Sequence, residues 1–171
     1  MSPAALPSLS IAVGVVVERR KADSPWVDFI WRGIAVLPDE PSTEPWTVLR
    51  EQDGTTLFYA GSATIDLYPS ETTRYRDNLA SGGPSIWVVL SPAEGVWPYA
   101  VTAVTADPAE GEGFTEAADN LVEAVPMPEV LSEAIESFVA EHHVEREFVK
   151  RKRRRADPEA LARREHEGGK E

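Results

Sequence analysis

The sequence contains no cysteine, only three histidines, and no apolar stretch long enough to cross a bilayer. Without cysteine the chain cannot form disulfides, thiolate zinc sites, cysteine-ligated iron–sulfur clusters or a cysteine nucleophile. Because a transmembrane helix needs about 20 consecutive apolar residues, no membrane span is predicted. The first residues also lack the basic region and cleavage site of a secretory signal, so a cytoplasmic location is expected.

Charge is abundant but mostly of one sign. The 171 residues carry 29 acidic and 17 basic side chains, which gives a formal net charge of −12. Because the cations concentrate near the C-terminus, the rest of the chain is strongly acidic and repels a phosphate backbone. Nucleic-acid binding is therefore disfavoured. Hydrophobic residues make up 42% of the chain, enough to form the core of one domain.

Strand patterns dominate the first two thirds of the chain. β-Branched apolar residues alternate over residues 11–17, which is typical of a half-buried strand. The stretch Phe29–Leu37 is apolar on both faces except at Arg32, so we expect a central strand there. Asp53-Gly54 indicates a hairpin turn. The alternation over residues 57–67 predicts an amphipathic strand, with Phe58 as the exception. Further strands are predicted at 46–49, 86–90, 99–105 and 121–125.

Three helices are predicted. Ser70 is expected to cap a short helix that ends near Leu79, and Asp107 with Pro108 is expected to start a short acidic helix. The longest predicted helix covers residues 128–142, because apolar residues recur there at helical spacing and glutamates occupy the intervening positions. Its apolar stripe comprises Val130, Leu131, Ala134, Ile135, Phe138 and Val139.

This order of elements predicts an α+β fold. Strands joined by short turns favour antiparallel pairing, and one amphipathic helix can cover the open face. We expect a strongly curved antiparallel sheet or a partly closed small barrel, of which a pleckstrin-like barrel is one realisation, covered by the C-terminal amphipathic helix. Residues 1–9 are expected to be a disordered N-terminus and 10–149 a single domain. Residues 150–171 are expected to be a charged tail, a frayed helix or disordered.

The motifs predict no catalytic residue, no metal site and no cofactor. His142 and His143 have helical spacing to Glu145 and Glu147, but adjacent helical residues point about 100° apart. An imidazolium near a helix C-terminus is favoured by the helix dipole without any metal. The glycines at 82–83 and 111–113 lack the surroundings of a phosphate loop, so turns are expected. No Gly-x-Ser-x-Gly sequence is present.

Five tryptophans are many for one domain. Trp31 and Trp87 lie within predicted strands and are expected to be core residues. Trp26, Trp46 and Trp97 each adjoin a proline in a predicted loop or at a strand end. Such tryptophans either anchor a protein interface or plug the end of a barrel, and the sequence leaves both readings open.

Two sets of basic residues are further candidates for binding. Arg32, inside an apolar strand, either pairs with a buried carboxylate or contacts an anionic ligand, and the structural pairing is preferred. Six consecutive cations follow residue 149. They would contact an acidic partner, RNA or an anionic membrane, or they are a solvated tail. These six are Lys150, Arg151, Lys152, Arg153, Arg154 and Arg155.

An ordered set of segments resembles a family of short, uncharacterised proteobacterial proteins encoded beside molybdenum- or tungsten-dependent formate dehydrogenases. The resemblance covers about residues 11–155. It implies a role in making, assembling or regulating such an enzyme, and it supplies no catalytic residue. The segments include Val13-Gly14-Val15-Val16-Val17-Glu18-Arg19-Arg20, Pro25-Trp26, Trp31-Arg32, Gly33-Ile34-Ala35-Val36-Leu37-Pro38, Ile86-Trp87-Val88-Val89-Leu90, Val125-Pro126-Met127-Pro128 and Phe148-Val149-Lys150-Arg151-Lys152-Arg153.

Some relatives in that family are labelled as molybdopterin-guanine dinucleotide biosynthesis proteins. A guanylyltransferase of that kind would have a glycine-rich nucleotide loop after its first strand, and here residues 18–23 contain no glycine. We therefore expect a non-catalytic accessory protein that binds a formate dehydrogenase subunit or a maturation factor. The alternatives are a small-molecule or cofactor-binding enzyme of molybdenum-cofactor metabolism, and a structural domain whose basic tail binds RNA or an anionic membrane.

Overall fold

The computed structural model describes residues 6–39 and 41–143, and this part of the chain forms seven strands and three α-helices. Most boundaries lie within a few residues of those that the sequence predicts. In chain order the elements are β1 (Leu9–Lys21), β2 (Phe29–Leu37), β3 (Thr47–Gln52), β4 (Thr55–Leu67), α1 (Thr72–Leu79), β5 (Ser85–Pro92), β6 (Tyr99–Thr105), α2 (Pro108–Gly113), β7 (Leu121–Pro126) and α3 (residues 129–143).

The strands form two antiparallel sheets. The first has four strands in the order β2-β1-β4-β3, and the second has three in the order β6-β5-β7. The mixed α+β class is therefore confirmed, and the described strands form no closed barrel. The strong curvature and the pleckstrin-like arrangement stay predictions. The predicted domain limits are likewise untested, and residues 1–5 and 150–171 lie outside the described part of the chain.

The prediction that β2 is a central strand is wrong, because β2 is an edge of the four-stranded sheet. Its apolar character has a different cause, namely packing against the second sheet. At Gly33 the two sheets approach so closely that a Cβ atom would lie 2.8 Å from Val88 Cγ1 of β5. This packing buries Gly33 and Val36, whereas Ile30 of the same strand is 45% exposed.

An extra residue in β4 reverses the predicted alternation in its first half. Val15 pairs with Gly61 while Val16 pairs with Tyr59, so Ala60 is left over as a bulge. Gly61 has a φ of 132°, a conformation that glycine adopts without strain. As a result Phe58, not Leu57, faces the core, and Phe58 is only 1% exposed.

Side chains of both sheets and of α3 enter one hydrophobic core. Within α3 the predicted stripe is confirmed at Leu131, Ile135, Phe138 and Val139, all of which are buried. Val130, predicted to join the stripe, is 61% exposed, although Leu131 beside it in the first turn of the helix is buried.

The two predicted helix starts have different outcomes. Asp107 caps α2 as expected, since its Oδ1 accepts hydrogen bonds from the backbone N–H groups of Ala109 and Glu110. Ser70 does not cap α1. A 3₁₀ turn over Pro69–Glu71 precedes that helix, and the Ser70 hydroxyl donates to the Glu71 carboxylate instead.

Tyr75 is a buried phenol that should make stability fall at alkaline pH. It is 1% exposed, its ring meets Phe138 edge-on, and its hydroxyl accepts from the Tyr68 N–H at 3.0 Å. Burial raises the pKa of Tyr75 to about 12 from its ordinary value of 10.0. Between these pH values the unfolded chain loses the proton and the folded protein keeps it. Ionisation of Tyr75 should therefore leave the free energy of unfolding unchanged well below pH 10.0 and lower it as pH rises towards 12.

Urea unfolding of the wild type and of Tyr75→Phe across this pH range tests the expectation. The variant should lose about 1 kcal/mol at neutral pH, because the Tyr68 N–H loses its acceptor. Its stability should then decline less steeply than that of the wild type in the alkaline range. Parallel declines of the two proteins would contradict the assignment.

Candidate functional site

An aromatic cluster joins the two sheets. It comprises residues of β2, β4, β6 and the segments before β3 and β6. Trp31 is the central ring, with centroid distances of 5.9 Å to Trp46, 6.0 Å to Phe58 and 6.1 Å to Tyr99. We use the name aromatic cluster for Phe29, Trp31, Trp46, Phe58, Trp97 and Tyr99.

Trp46 is held in a conformation that tryptophan rarely adopts. Its φ is 68°, in the left-handed region, and its backbone N–H donates to the carbonyl of Tyr59 in β4. Such a conformation costs on the order of 1 kcal/mol and persists only where surrounding contacts enforce it. Here the indole stacks on Trp97, with a centroid distance of 5.2 Å and an interplanar angle of 18°. The stack connects the loop before β3 with the loop before β6.

Arg19 lies over this cluster with its guanidinium against three rings. The distances from Cζ to the ring centroids are 4.5 Å for Phe29, 5.1 Å for Phe58 and 5.6 Å for Trp31, all within cation–π range. Arg19 reaches this face because it continues the inward-facing alternation of β1, where it pairs across the sheet with Trp31 and Thr56.

The guanidinium of Arg19 is poorly satisfied. Its Nη2 lies 3.5 Å from Thr56 Oγ1, which is a weak hydrogen bond. Its Nε is buried and has no hydrogen-bond partner within the described part of the chain. No carboxylate of residues 6–39 or 41–143 forms an ion pair with it. Arg19 as a residue is half-buried, so it is the buried Nε without a partner that makes this arrangement unusual.

A cleft of about 460 Å³ opens beside Arg19. Its floor is aromatic, and its rim carries apolar side chains that water reaches. Val96 is 89% exposed and Val27 is 50% exposed. Among the lining residues, Asp28 carries a carboxylate. The lining residues are Arg19, Val27, Asp28, Phe29, Trp31, Val96, Trp97, Pro98 and Tyr99.

The structure separates the three loop tryptophans of the sequence analysis. Trp46 and Trp97 are half-buried and pack together in the aromatic cluster, and Trp97 also lines the cleft. Trp26 is almost fully exposed. Of the two expected core tryptophans, Trp31 is half-buried in the cluster. Trp87 is half-buried under α2, where Gly111 approaches so closely that a Cβ atom would lie 2.3 Å from Trp87 Cγ.

Arg32 lies on the opposite face of the sheet from Arg19. Its Nε is 3.1 Å from Glu18 Oε1, and these two residues are cross-strand neighbours. The preferred structural pairing is therefore present, although at the surface: the Arg32 side chain is 49% exposed and that of Glu18 is 16% exposed. Sequence reasoning singled out Arg32 and missed Arg19. The missed signal was parity, because Arg19 follows Val13, Val15 and Val17 at alternate positions.

The adjacent histidines contact different neighbours. His142 packs its ring on Phe138 at 4.3 Å. His143 lies between α3 and α1, with Nδ1 3.4 Å from Thr72 Oγ1 and Nε2 2.9 Å from Arg76 Nη1. In residues 6–39 and 41–143 no group of three histidine, aspartate or glutamate residues is placed to hold a metal ion. The basic run Lys150 to Arg155 and the carboxylates Glu145 and Glu147 lie outside the described residues.

The fold and the site thus define an α+β domain that has two antiparallel sheets and an aromatic cleft containing an arginine. Residues 12–153 match the model of a family described as Protein of unknown function (DUF3305), and the chain belongs to that family. That description names no activity or partner. No curated protein and no solved structure matches the chain. Within the described residues, no helix has the length and apolar character needed to cross a membrane.

Proposed function

We propose that this protein is a non-catalytic accessory protein that binds another protein through the cleft beside Arg19. The observation that carries the proposal is the exposed apolar rim. Val96 and Val27 are 89% and 50% exposed, and contiguous exposed apolar side chains of this kind mark interaction sites. Tryptophan and arginine are also the residues that contribute most to protein interfaces, and both occur in this cleft.

The composition of the cleft supports binding over catalysis. Its lining contains one arginine, one aspartate and one tyrosine, and otherwise aromatic and aliphatic side chains. A hydrolytic or acid–base site would need a nucleophile beside a base, or two carboxyl groups held at a set separation. Within the described part of the chain, the lining residues offer neither arrangement.

The proposed partner is a subunit of a molybdenum- or tungsten-dependent formate dehydrogenase, or a factor that matures it. This part of the proposal rests on the resemblance of the segments between residues 11 and 155 to proteins encoded beside such enzymes. It names the partner that would bind the cleft. Whether the cleft binds a protein and which protein it binds can be tested separately.

Affinity purification from the native host tests both parts, with Val96→Ser as the cleft variant and Val130→Ser as its matched control. Val130 is also an exposed valine, but it lies on α3 and not in the cleft. Formate dehydrogenase subunits or maturation factors, identified by mass spectrometry, should co-purify with the wild type and with Val130→Ser. Their recovery should fall about tenfold with Val96→Ser, because a valine buried in an interface contributes about 1.5–3 kcal/mol.

The two possible failures have different meanings. If no component of the formate dehydrogenase system is recovered with the wild type, the proposed partner is wrong. If such components are recovered equally with Val96→Ser and the wild type, the cleft is not the binding surface.

A second candidate function is binding of a small molecule, as in an enzyme of molybdenum-cofactor metabolism. The observation in its favour is the volume of the cleft, about 460 Å³, which lies in the usual range of ligand pockets. Native mass spectrometry of the protein purified from its own cells tests this candidate. A bound small molecule that is lost on Val96→Ser substitution would favour it, and a ligand-free mass would count against it.

A further inference from the structure

Arg19 gives the proposed partner a specific chemistry. We infer that the cleft binds an acidic peptide segment, in which an aspartate or glutamate carboxylate pairs with the Arg19 guanidinium and flanking apolar side chains pack on the rim. The inference rests on the proposed function, because it names what the partner presents to the same surface.

The first argument is that Arg19 is held in position but has no carboxylate partner among the described residues. The guanidinium lies against three rings, its Nη2 makes only the long contact with Thr56, and its Nε has no partner among the described residues. A guanidinium presents its donors as a planar fork that matches a carboxylate, and charge-assisted bonds of this kind are short and strong. Because the rings already restrict the Arg19 side chain, little further side-chain entropy would be lost when a carboxylate binds to it.

The second argument excludes a polyanion as the better occupant. The chain has a net charge of −12, and the cleft itself contains Asp28. A nucleic-acid backbone needs several cations along its path, whereas Arg19 is the one cation among the lining residues. A single carboxylate needs one guanidinium, so the charge of the cleft fits a peptide acid better than a chain of phosphates.

The third argument concerns the apolar surface beyond the arginine. Val27 and Val96 lie on the rim and are 50% and 89% exposed, and Trp97 and Tyr99 form the adjoining wall. Apolar area of this kind gains free energy only when it is covered. A peptide with aliphatic or aromatic residues on either side of its acid would cover it, and a free carboxylate ion would not.

Selection from a random displayed peptide library against the full chain tests the inference. Sequences with one aspartate or glutamate flanked by apolar residues should be enriched. For the strongest selected peptide, Arg19→Met should weaken binding about 10- to 100-fold, the range expected for a charge-assisted hydrogen bond. Replacing the peptide's acid by its amide should cause a similar loss. Combining both changes should add little, because they remove the same contact.

Two further variants keep the test decisive. Arg20→Met removes the same charge from an exposed neighbour on the other face of β1, and it should leave affinity almost unchanged. Asp28→Asn removes a negative charge from the cleft and should strengthen binding severalfold. If Arg19→Met does not fold, Asp28→Asn and the amide form of the peptide carry the test.

Three outcomes would overturn the inference. Enriched peptides that lack an acid, or equal binding of the acid and amide forms, would show that Arg19 does not recognise a carboxylate. Displacement of the selected peptide by a single-stranded oligonucleotide would favour a polyanion. If Val96→Ser still weakens peptide binding in any of these cases, the proposal that a protein binds at the cleft stands. If Val96→Ser has no effect on binding of the selected peptides, the proposed function itself is contradicted.

Discussion

Replacing Phe58 with alanine is expected to lower the free energy of unfolding by about 3–5 kcal/mol. Phe58 is 1% exposed and its ring lies within about 6 Å of the rings of Trp31, Trp46 and Trp97. Truncation would leave a cavity among large rigid rings, which cannot close around it. The guanidinium of Arg19 would also lose one of the three rings against which it lies.

Urea unfolding followed by circular dichroism measures this loss, with Phe58→Leu as the control. Leucine retains most of the volume but not the ring, so that variant should lose about half as much stability as the alanine variant or less. The tryptophan emission of Phe58→Ala should also shift to longer wavelength, as water reaches Trp46 and Trp97. A loss below about 1 kcal/mol for Phe58→Ala would mean that the aromatic cluster does not stabilise the fold.

Phe58 also shows how far the sequence predicts this site. Its position broke an otherwise regular alternation over residues 57–67, and the structure shows that the break marks the bulge at Ala60. Bulges are encoded by a backbone conformation, here the positive φ of Gly61, and not by hydrophobicity. Alternation alone therefore locates the strand but assigns its first half to the wrong face.

The edge position of β2 could not be predicted from its composition. An apolar composition does not show which elements cover a strand or that both of its faces are covered, and Ile30 of β2 is 45% exposed. A central strand has hydrogen-bonded neighbours on both sides, whereas β2 has β1 on one side and packs on Val88 of the second sheet. Contacts between residues far apart in sequence, such as Gly33 and Val88, decide the outcome.

The residues of the candidate site were likewise predicted only where local sequence, and not long-range packing, determines their role. Sequence reasoning found Trp46 and Trp97 because proline neighbours mark loops, and both lie in the aromatic cluster. It chose Arg32 over Arg19 because Arg32 interrupts an apolar run. Arg19 stands among other charged residues, where only its parity with Val17 distinguishes it. Their pairing partners, Glu18 for Arg32 and the rings for Arg19, follow from strand register.

The second large effect is expected at Asn78, which was not predicted to be important. Asn78 is the last polar residue of α1 and is 4% exposed. Its Nδ2 donates to the carbonyls of Ser85 at 2.8 Å and Ala106 at 3.0 Å, and its Oδ1 accepts from the Ser85 N–H at 3.0 Å. One side chain thus satisfies three backbone groups and fixes α1 to the start of β5 and the end of β6.

Asn78→Ala should therefore lower the free energy of unfolding by about 3 kcal/mol or more, since each buried backbone group left unpaired costs about 1–3 kcal/mol. Asn78→Asp should be at least as damaging, because a carboxylate would face two carbonyl oxygens. Asn120→Ala is the control: that side chain is half-buried, its Nδ2 donates to one backbone carbonyl, that of Phe114, and its Oδ1 accepts from the Ser91 hydroxyl, so about 1–2 kcal/mol is expected. Urea unfolding of the three variants measures the differences. Equal losses for Asn78→Ala and Asn120→Ala would show that water replaces the asparagine, and that α1 is held by Tyr75 and its apolar neighbours instead.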